Sequence, residues 1–111
     1  MAISKELMKG STVILVLTLL EQKPMYGYEM IKAMEKSSNG VLTLKEGTLY
    51  PILHTLESEG KVEAFWSEGE GERKRKYYQI TPEGKRHLKD KKQEWISFRT
   101  AVDGVLGGEP T

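Results

Sequence analysis

The chain has 111 residues, a length typical of one domain or of one domain with an appended helix. It contains no cysteine, which excludes disulfide bonds, thiol nucleophiles and cysteine-ligated metal sites. The formal net charge is +1, so any binding of nucleic acid must depend on where the cations lie. The longest apolar run, Val13 to Leu20, is far shorter than the ~20 residues of a membrane span, and no signal-peptide pattern follows it. We therefore expect a soluble, cytoplasmic protein.

Apolar spacing predicts two helices and a short strand in the first part of the chain. A helix is expected from Lys5 to Glu21. It is apolar on more than one face, which requires either a central position in the domain or a second subunit. A second helix, from about Tyr26 to Lys36, has one apolar face, and the β-prone segment from Val41 to Leu44 is expected to form one small strand.

The third predicted helix has the clearest pattern. Its apolar residues form one stripe, at Leu49, Ile52, Leu53 and Leu56. Since proline is tolerated near the first turn, Pro51 predicts a start near Gly47 or Thr48, and Gly60 marks the end. Six residues then lie off the apolar stripe and face outward: Thr48, Tyr50, Pro51, His54, Thr55 and Ser58.

Two strands and a long helix complete the chain. The segments 62–66 and 74–80 are rich in β-branched and aromatic residues, and a polar, glycine-bearing tip joins them into a hairpin. Thr81 and Pro82 then form the N-cap and first position of a helix that runs to about Leu106. The sequence predicts a mainly α fold with a small β-hairpin. It comprises a winged helix-turn-helix over residues 1–80, a C-terminal dimerisation helix over 81–106 and a disordered tail over 107–111.

The hairpin carries the candidate contacts to DNA phosphates. The candidates are four consecutive cations, Arg73, Lys74, Arg75 and Lys76, and the Tyr77 that follows them, while Tyr78 and Ile80 are expected to face the core. Cations beside a hairpin tip can neutralise phosphates and release counterions. The alternative is a solvated strand whose charge is cancelled by acidic residues of the tip, namely Glu68, Glu70 and Glu72.

The outward face of the third helix offers hydroxyl, phenol and imidazole groups at Thr48, Tyr50, His54 and Thr55, and an apolar surface at Pro51. It has neither Arg nor Asn for bidentate base contacts, so phosphate contacts and DNA shape should contribute more than direct readout. Tyr26 opens the second helix, where free N–H groups attract phosphate oxygens. The alternatives are a plain solvent-exposed face for the third helix and a core position for the Tyr26 ring.

The last helix has a heptad-like apolar stripe that suggests a dimer interface. Its members are Leu88, Trp95, Phe98, Val102 and Val105, and the expected interface also includes Leu106. A second possibility is that two symmetry-related Trp95 rings flank a gap in which a flat aromatic molecule stacks. Leu7 and Ile14 are candidates for the wall of that gap, with room provided by Gly10.

Enzymatic chemistry has little support in the sequence. The only histidines, His54 and His87, lie on different predicted helices. The chain has no glycine-rich phosphate loop after a strand and no metal-ligand spacing, so we expect no catalytic residues, cofactor or metal.

Three segments of the sequence resemble the PadR family of bacterial transcriptional regulators. They are Tyr26–Glu29, Gly47–Glu57 followed by Glu59 and Gly60, and Gly69–Thr81. The similarity covers about Lys9 to Lys85, and it departs from the family at Lys45 and Glu46, where the family often has Ser-Pro. The resemblance implies a homodimeric winged-helix repressor whose last helix forms the dimer, with Thr48, Tyr50, Pro51 and the basic hairpin at the DNA. A two-fold protein should then prefer a palindromic operator. The chain is similar in size to a small subgroup without the larger C-terminal domain.

Some members of that subgroup sense drug-like aromatic compounds through a tryptophan at the place of Trp95, which implies a possible planar aromatic effector here. An alternative function keeps the winged-helix fold but makes it a protein-interaction module, because a fold does not determine a function.

Overall fold

A computed structural model describes residues 3–67 and 74–107 of the chain. Arg73, the acidic residues of the hairpin tip and the predicted tail from residue 108 onward lie outside the described residues. The described elements are α1 (Lys5–Lys9), α2 (Thr12–Gln22), β1 (Met25–Tyr26), α3 (Gly27–Ser37), α4 (Glu46–Ser58), β2 (Val62–Trp66), β3 (Lys76–Ile80) and α5 (Pro82–Leu106).

The first predicted helix is in fact two helices, so the expectation of one helix from Lys5 to Glu21 is wrong. In a continuous helix the Met8 carbonyl would accept the backbone N–H of Thr12. Here it accepts the Ser11 N–H at 2.9 Å and the Thr12 hydroxyl at 2.9 Å. These bonds close a turn at Gly10 that separates α1 from α2.

Residues 41–44 form a loop in the described structure, so the predicted small strand is also wrong. The Ser38 hydroxyl accepts the Leu42 N–H at 2.9 Å, and the Ser38 carbonyl accepts the Val41 N–H at 3.1 Å. Asn39 and Gly40 both have positive φ, at 54° and 79°, which turns the chain away from an extended path. These local bonds outweigh the β propensity of the segment.

The observed sheet has three antiparallel strands in the order β1-β3-β2, whereas the sequence predicted a two-stranded hairpin. The third strand, β1, contributes only Met25 and Tyr26. Tyr78 lies opposite Met25 and Ala64, and these three residues share the face that packs on the core. Tyr77 lies opposite Tyr26 and Phe65 on the other face.

α4 begins at Glu46, one or two residues earlier than predicted, and Pro51 lies in its second turn. The Lys45 side chain, at the N-cap, has no oxygen that could accept a hydrogen bond from the helix. The predicted face is confirmed, since Leu49, Leu53 and Leu56 are buried. The six residues expected off the apolar stripe, Thr48, Tyr50, Pro51, His54, Thr55 and Ser58, are exposed.

The predicted bounds of α5 are confirmed. Thr81 accepts the Gly84 N–H at 3.0 Å, and Gly107 ends the helix with φ 77°. Leu88 is 1% exposed and belongs to the core, together with Leu17, Met30 and Tyr78. It therefore has no surface left for a partner, and its expected place in a dimer interface is corrected.

Candidate nucleic-acid interface

The outer surface of α4 is the first part of the candidate interface. Between Gly47 and Thr55 it has no charged residue, which is unusual for an exposed helical face. Thr48, Pro51, His54 and Thr55 are exposed. These side chains offer hydroxyl, imidazole and apolar groups along a single helix, as a major-groove helix must.

Tyr50 belongs to this surface and also contacts the start of α3. Its side chain leans towards the start of α3, where the phenol oxygen lies so close to Gly27 that no side chain would fit there. Burial raises the pKa of the Tyr50 phenol, and Glu46 and Tyr78 raise it further. The phenol is therefore neutral at physiological pH and retains its hydrogen-bond donor.

An acidic side chain caps the start of α3. The Tyr26 N–H donates to the Glu29 carboxylate at 3.2 Å, and Glu29 lies 3.5 Å from the Lys23 ammonium group. The Tyr26 N–H is thus satisfied by an acidic side chain. Tyr26 is half-buried, intermediate between the two alternatives considered for its ring.

The basic residues of the hairpin have different environments. Lys74 and Arg75 are exposed, and the Arg75 guanidinium lies 4.6 Å from the centre of the Tyr26 ring. Lys76 instead lies 3.9 Å from the Glu57 carboxylate of α4 and 5.5 Å from the centre of the Tyr78 ring. Lys76 therefore links the hairpin to α4, while Lys74 and Arg75 face solvent.

Three aromatic rings form a row across the outer face of the sheet. The Tyr77 ring meets the Tyr26 ring edge-on at 5.4 Å and stacks on the Phe65 ring at 5.6 Å, with 16° between the latter two planes. Phe65 was not among the residues predicted to contribute to the interface. The available signal was strand alternation, which places Phe65 on the face opposite Ala64.

A separate groove of about 660 Å³ lies between α1, α2 and α5. It brings together the four residues predicted to surround an aromatic ligand: Leu7, Ile14, Trp95 and Phe98. Its rim carries Glu6, His87, Lys91 and Glu94. A second groove of about 480 Å³, which the sequence did not indicate, shares Trp95 and Leu7 and is bordered by Lys92 and Arg99.

The second half of α5 projects away from the rest of the chain. Every residue from Gln93 to Gly107 is exposed except Val102, which is half-buried. The largest exposed apolar side chains include Phe98 at 66%, Val105 at 88% and Leu106 at 76%. The same stripe of α5 packs on the core of its own chain through Leu88. From Trp95 onward its apolar side chains are largely exposed to solvent.

Comparison with known proteins identifies the family. A family model described as the transcriptional regulator PadR-like family matches residues 16–90, which is more than half of the chain. The chain belongs to the PadR-like family of transcriptional regulators.

Solved structures of similar proteins agree with this assignment. A transcriptional regulator from Clostridium thermocellum is 31% identical, with a TM-score of 0.83 over 90% of this chain and 97% of that one. A PadR family regulator from Eggerthella lenta is 37% identical, with a TM-score of 0.79 over 91% and 86%. A PadR-like regulator from Bacillus cereus is 31% identical, with a TM-score of 0.80 over 95% and 100%. The mainly helical winged-helix fold with a long C-terminal helix is therefore shared with known regulators.

Residues 3–67 and 74–107 also lack two structural features. No helix in these ranges is both long and apolar enough to cross a membrane. The same ranges contain no group of three or more His, Asp or Glu side chains arranged to hold a metal ion.

Proposed function

We propose that this PadR-like regulator acts as a homodimeric repressor that binds a palindromic operator through α4 and the basic hairpin. The observation that carries the proposal is the uncharged outer surface of α4 beside two exposed cations, Lys74 and Arg75. The surface of α4 that would face the base edges is uncharged, whereas the hairpin that would face the phosphates carries positive charge.

The side chains support a division of tasks between α4 and the hairpin. Thr48, Tyr50, Pro51, His54 and Thr55 would enter the major groove. Without an Arg or Asn among them, they would read bases weakly, so groove shape contributes to specificity. Lys74 and Arg75, with Arg73 outside the described residues, would follow the phosphate backbone and supply most of the affinity.

The exposed stripe of α5 supports a dimer. Apolar side chains at 66–88% exposure cost free energy in water and are typical of an interface. A second copy would cover Trp95, Phe98, Val102, Val105 and Leu106. A two-fold dimer presents two α4 helices, so its operator should contain half-sites one helical turn, or a multiple of it, apart.

The salt dependence of DNA binding tests the role of the hairpin. Replacing Lys74 and Arg75 with Ala should make the negative slope of log affinity against log salt shallower by about 2. Each lost phosphate contact means that about one counterion fewer is released from the DNA on binding. The probe is the duplex most enriched by the unaltered protein from a random-sequence pool. Replacing Lys85 and Lys89 of α5, both exposed, removes the same charge and serves as the control.

An unchanged slope in the hairpin variant would show that the hairpin does not meet phosphates. If the unaltered protein enriches no duplex, the repressor proposal fails. The exposed Trp66 at the end of edge strand β2 would then favour the second candidate, a winged-helix protein-interaction module.

A planar aromatic effector forms the second part of the proposal, and the groove beside Trp95 supports it. Leu7, Ile14, Trp95 and Phe98 offer an apolar wall close to the face that a second copy would cover. A ligand there releases DNA only if it binds the DNA-incompetent arrangement more tightly than the competent one.

Tryptophan fluorescence tests the effector site. In a Trp66→Phe protein, Trp95 is the sole tryptophan, and planar aromatic compounds should quench its emission saturably. In full-length protein with Trp95→Ala, the same compounds should no longer weaken operator binding. Release of the operator that is unchanged by Trp95→Ala would contradict the site.

A further inference from the structure

The aromatic row on the outer face of the sheet ends at an arginine. Tyr26, Tyr77 and Phe65 lie directly opposite one another on β1, β3 and β2, so their side chains share one face. Arg75 lies two residues before Tyr77 and therefore points to the same face. Its guanidinium packs on the Tyr26 ring at 4.6 Å.

Both the backbone and the side chain of Arg75 are held, although the residue lies just outside β3. Its N–H donates to the Ser67 hydroxyl at 3.2 Å, and its carbonyl accepts the Ser67 N–H at 2.9 Å. The long arginine side chain has many rotamers in water. Stacking of its planar guanidinium on Tyr26 selects one direction among them.

Tyr26 holds this guanidinium at a definite place. Tyr26 is the N-cap of α3, and the next residue, Gly27, touches the Tyr50 side chain of α4. In a helix-turn-helix, the first helix crosses the DNA backbone while the second enters the groove. The guanidinium is thus located where a phosphate would pass.

We propose that Phe65 is a positioning residue for DNA binding, because through the Tyr77 ring it holds Tyr26 and the stacked Arg75 guanidinium against the DNA backbone. This inference rests on the proposed function. It reassigns Tyr77 from a direct DNA contact to the central ring of the row. Phe65 itself need not reach the DNA.

The position of Phe65 supports this role over a core role. Phe65 is 40% exposed and lies on the face away from the core, whereas its neighbour Ala64 packs against the core. The aromatic partner of Phe65 is Tyr77, with nearly parallel planes. Removal of the Phe65 ring would therefore release the row and leave the core intact.

The test is a double-mutant cycle between Phe65→Leu and Arg75→Ala, measured as affinity for the duplex enriched from a random-sequence pool by the unaltered protein. Phe65→Leu alone should weaken binding about three- to tenfold, the size of one aromatic pair. In the Arg75→Ala protein, Phe65→Leu should cause no further loss. The slope of log affinity against log salt should also become shallower in Phe65→Leu, approaching the slope of Arg75→Ala.

A second readout needs no DNA. In the free protein, the Tyr26 ring current should shift the NMR signals of the Arg75 Hδ protons, and Phe65→Leu should reduce that shift. Phe65→Tyr keeps the stacked ring and should retain both the shift and the affinity. Trp66→Leu removes the adjacent aromatic ring, which lies on the opposite face of β2, and should change neither.

Phe65→Leu could weaken DNA binding equally in the unaltered protein and in the Arg75→Ala protein, with no change in the salt dependence. This result would overturn the inference, because it would indicate a direct contact of Phe65 with DNA or a general loss of stability. An unshifted Arg75 signal in the unaltered protein would overturn it as well. If the unaltered protein binds no duplex, the proposed function itself fails and this inference fails with it. Binding of DNA that is unaffected by Phe65→Leu would overturn the positioning role alone.

Discussion

At the scale of single residues, Tyr50 and Gly27 join the two helices of the helix-turn-helix. The phenol of Tyr50 occupies the space in which any side chain at position 27 would stand. Gly27 is helical and buried, so its value here is the missing Cβ and not an unusual backbone angle. The spacing between α3 and α4 therefore depends on one absent methyl group.

Gly27→Ala should destabilise the protein by about 1–3 kcal/mol, because the added methyl overlaps the Tyr50 side chain in a packed region. The measurement is urea unfolding at a fixed protein concentration. Gly47→Ala is the matched control in a helix. Its added Cβ meets no described atom within 4 Å, and it should stabilise α4 by about 0.5–1 kcal/mol.

Shortening the Tyr50 side chain tests whether the cost of alanine at position 27 comes from overlap with the Tyr50 ring. In a Tyr50→Leu protein, which lacks the phenol, Gly27→Ala should cost much less than in the unaltered chain. An equal cost in both backgrounds would contradict the proposed contact.

At the scale of elements, Thr81 connects the sheet to α5 through two bonds of one hydroxyl. The oxygen accepts the Gly84 N–H at 3.0 Å, and the hydroxyl donates to the Gly60 carbonyl at 2.7 Å. Gly60 follows α4, so one side chain links the end of α4 to the start of α5.

Thr81→Ala should lower the free energy of unfolding by about 1–2 kcal/mol, because it removes an N-cap and a tertiary hydrogen bond. Thr81→Ser keeps the hydroxyl and should retain most of the stability. Urea unfolding of both variants measures the difference. A serine variant as unstable as the alanine variant would mean that the methyl group, not the hydroxyl, provides the stability.

The elements also show what the sequence alone can predict. The bounds of α5 were predicted correctly because its signals are local: a Thr-Pro start and a glycine stop. β1 was missed because two residues form a strand only by pairing with β3, a contact that is distant in sequence. The break between α1 and α2 depends on which group donates to the Met8 carbonyl, and apolar spacing carries no information about that choice.

The candidate site was predictable to a similar extent. Exposure of Thr48, Pro51 and His54 followed from helical periodicity. The pairing of Lys76 with Glu57 did not, because strand alternation divides the cations between two faces but does not reveal which helix packs beside one of them. Phe65 was overlooked for the same reason, since its partner Tyr77 comes from another strand.

At the scale of the whole molecule, one stripe of α5 serves two purposes. Its first half buries Leu88 in the core of the same chain, while its second half presents Phe98, Val105 and Leu106 to solvent. Leu88, Trp95 and Val102 are spaced seven residues apart across both halves, so this spacing could not distinguish a partner within the chain from a partner in a second copy. Burial within one chain makes that distinction and limits the proposed interface to the region from Trp95 onward.

The double variant Val105→Glu with Leu106→Glu should therefore be monomeric at micromolar concentration in sedimentation equilibrium. Both residues are largely exposed in the single chain, so the fold and its circular dichroism should be unchanged. In a dimer, binding of one subunit to its half-site holds the second subunit close to the other half-site, which raises the overall affinity. A monomer lacks this gain, so binding to the operator should weaken about 10²–10⁴-fold. Ser97→Glu with Thr100→Glu adds the same charge on the opposite side of α5 and should remain dimeric with full affinity. A dimer that persists with glutamate at 105 and 106 would place the subunit contact elsewhere on the chain, and the spacing of the operator half-sites would then no longer follow from α5.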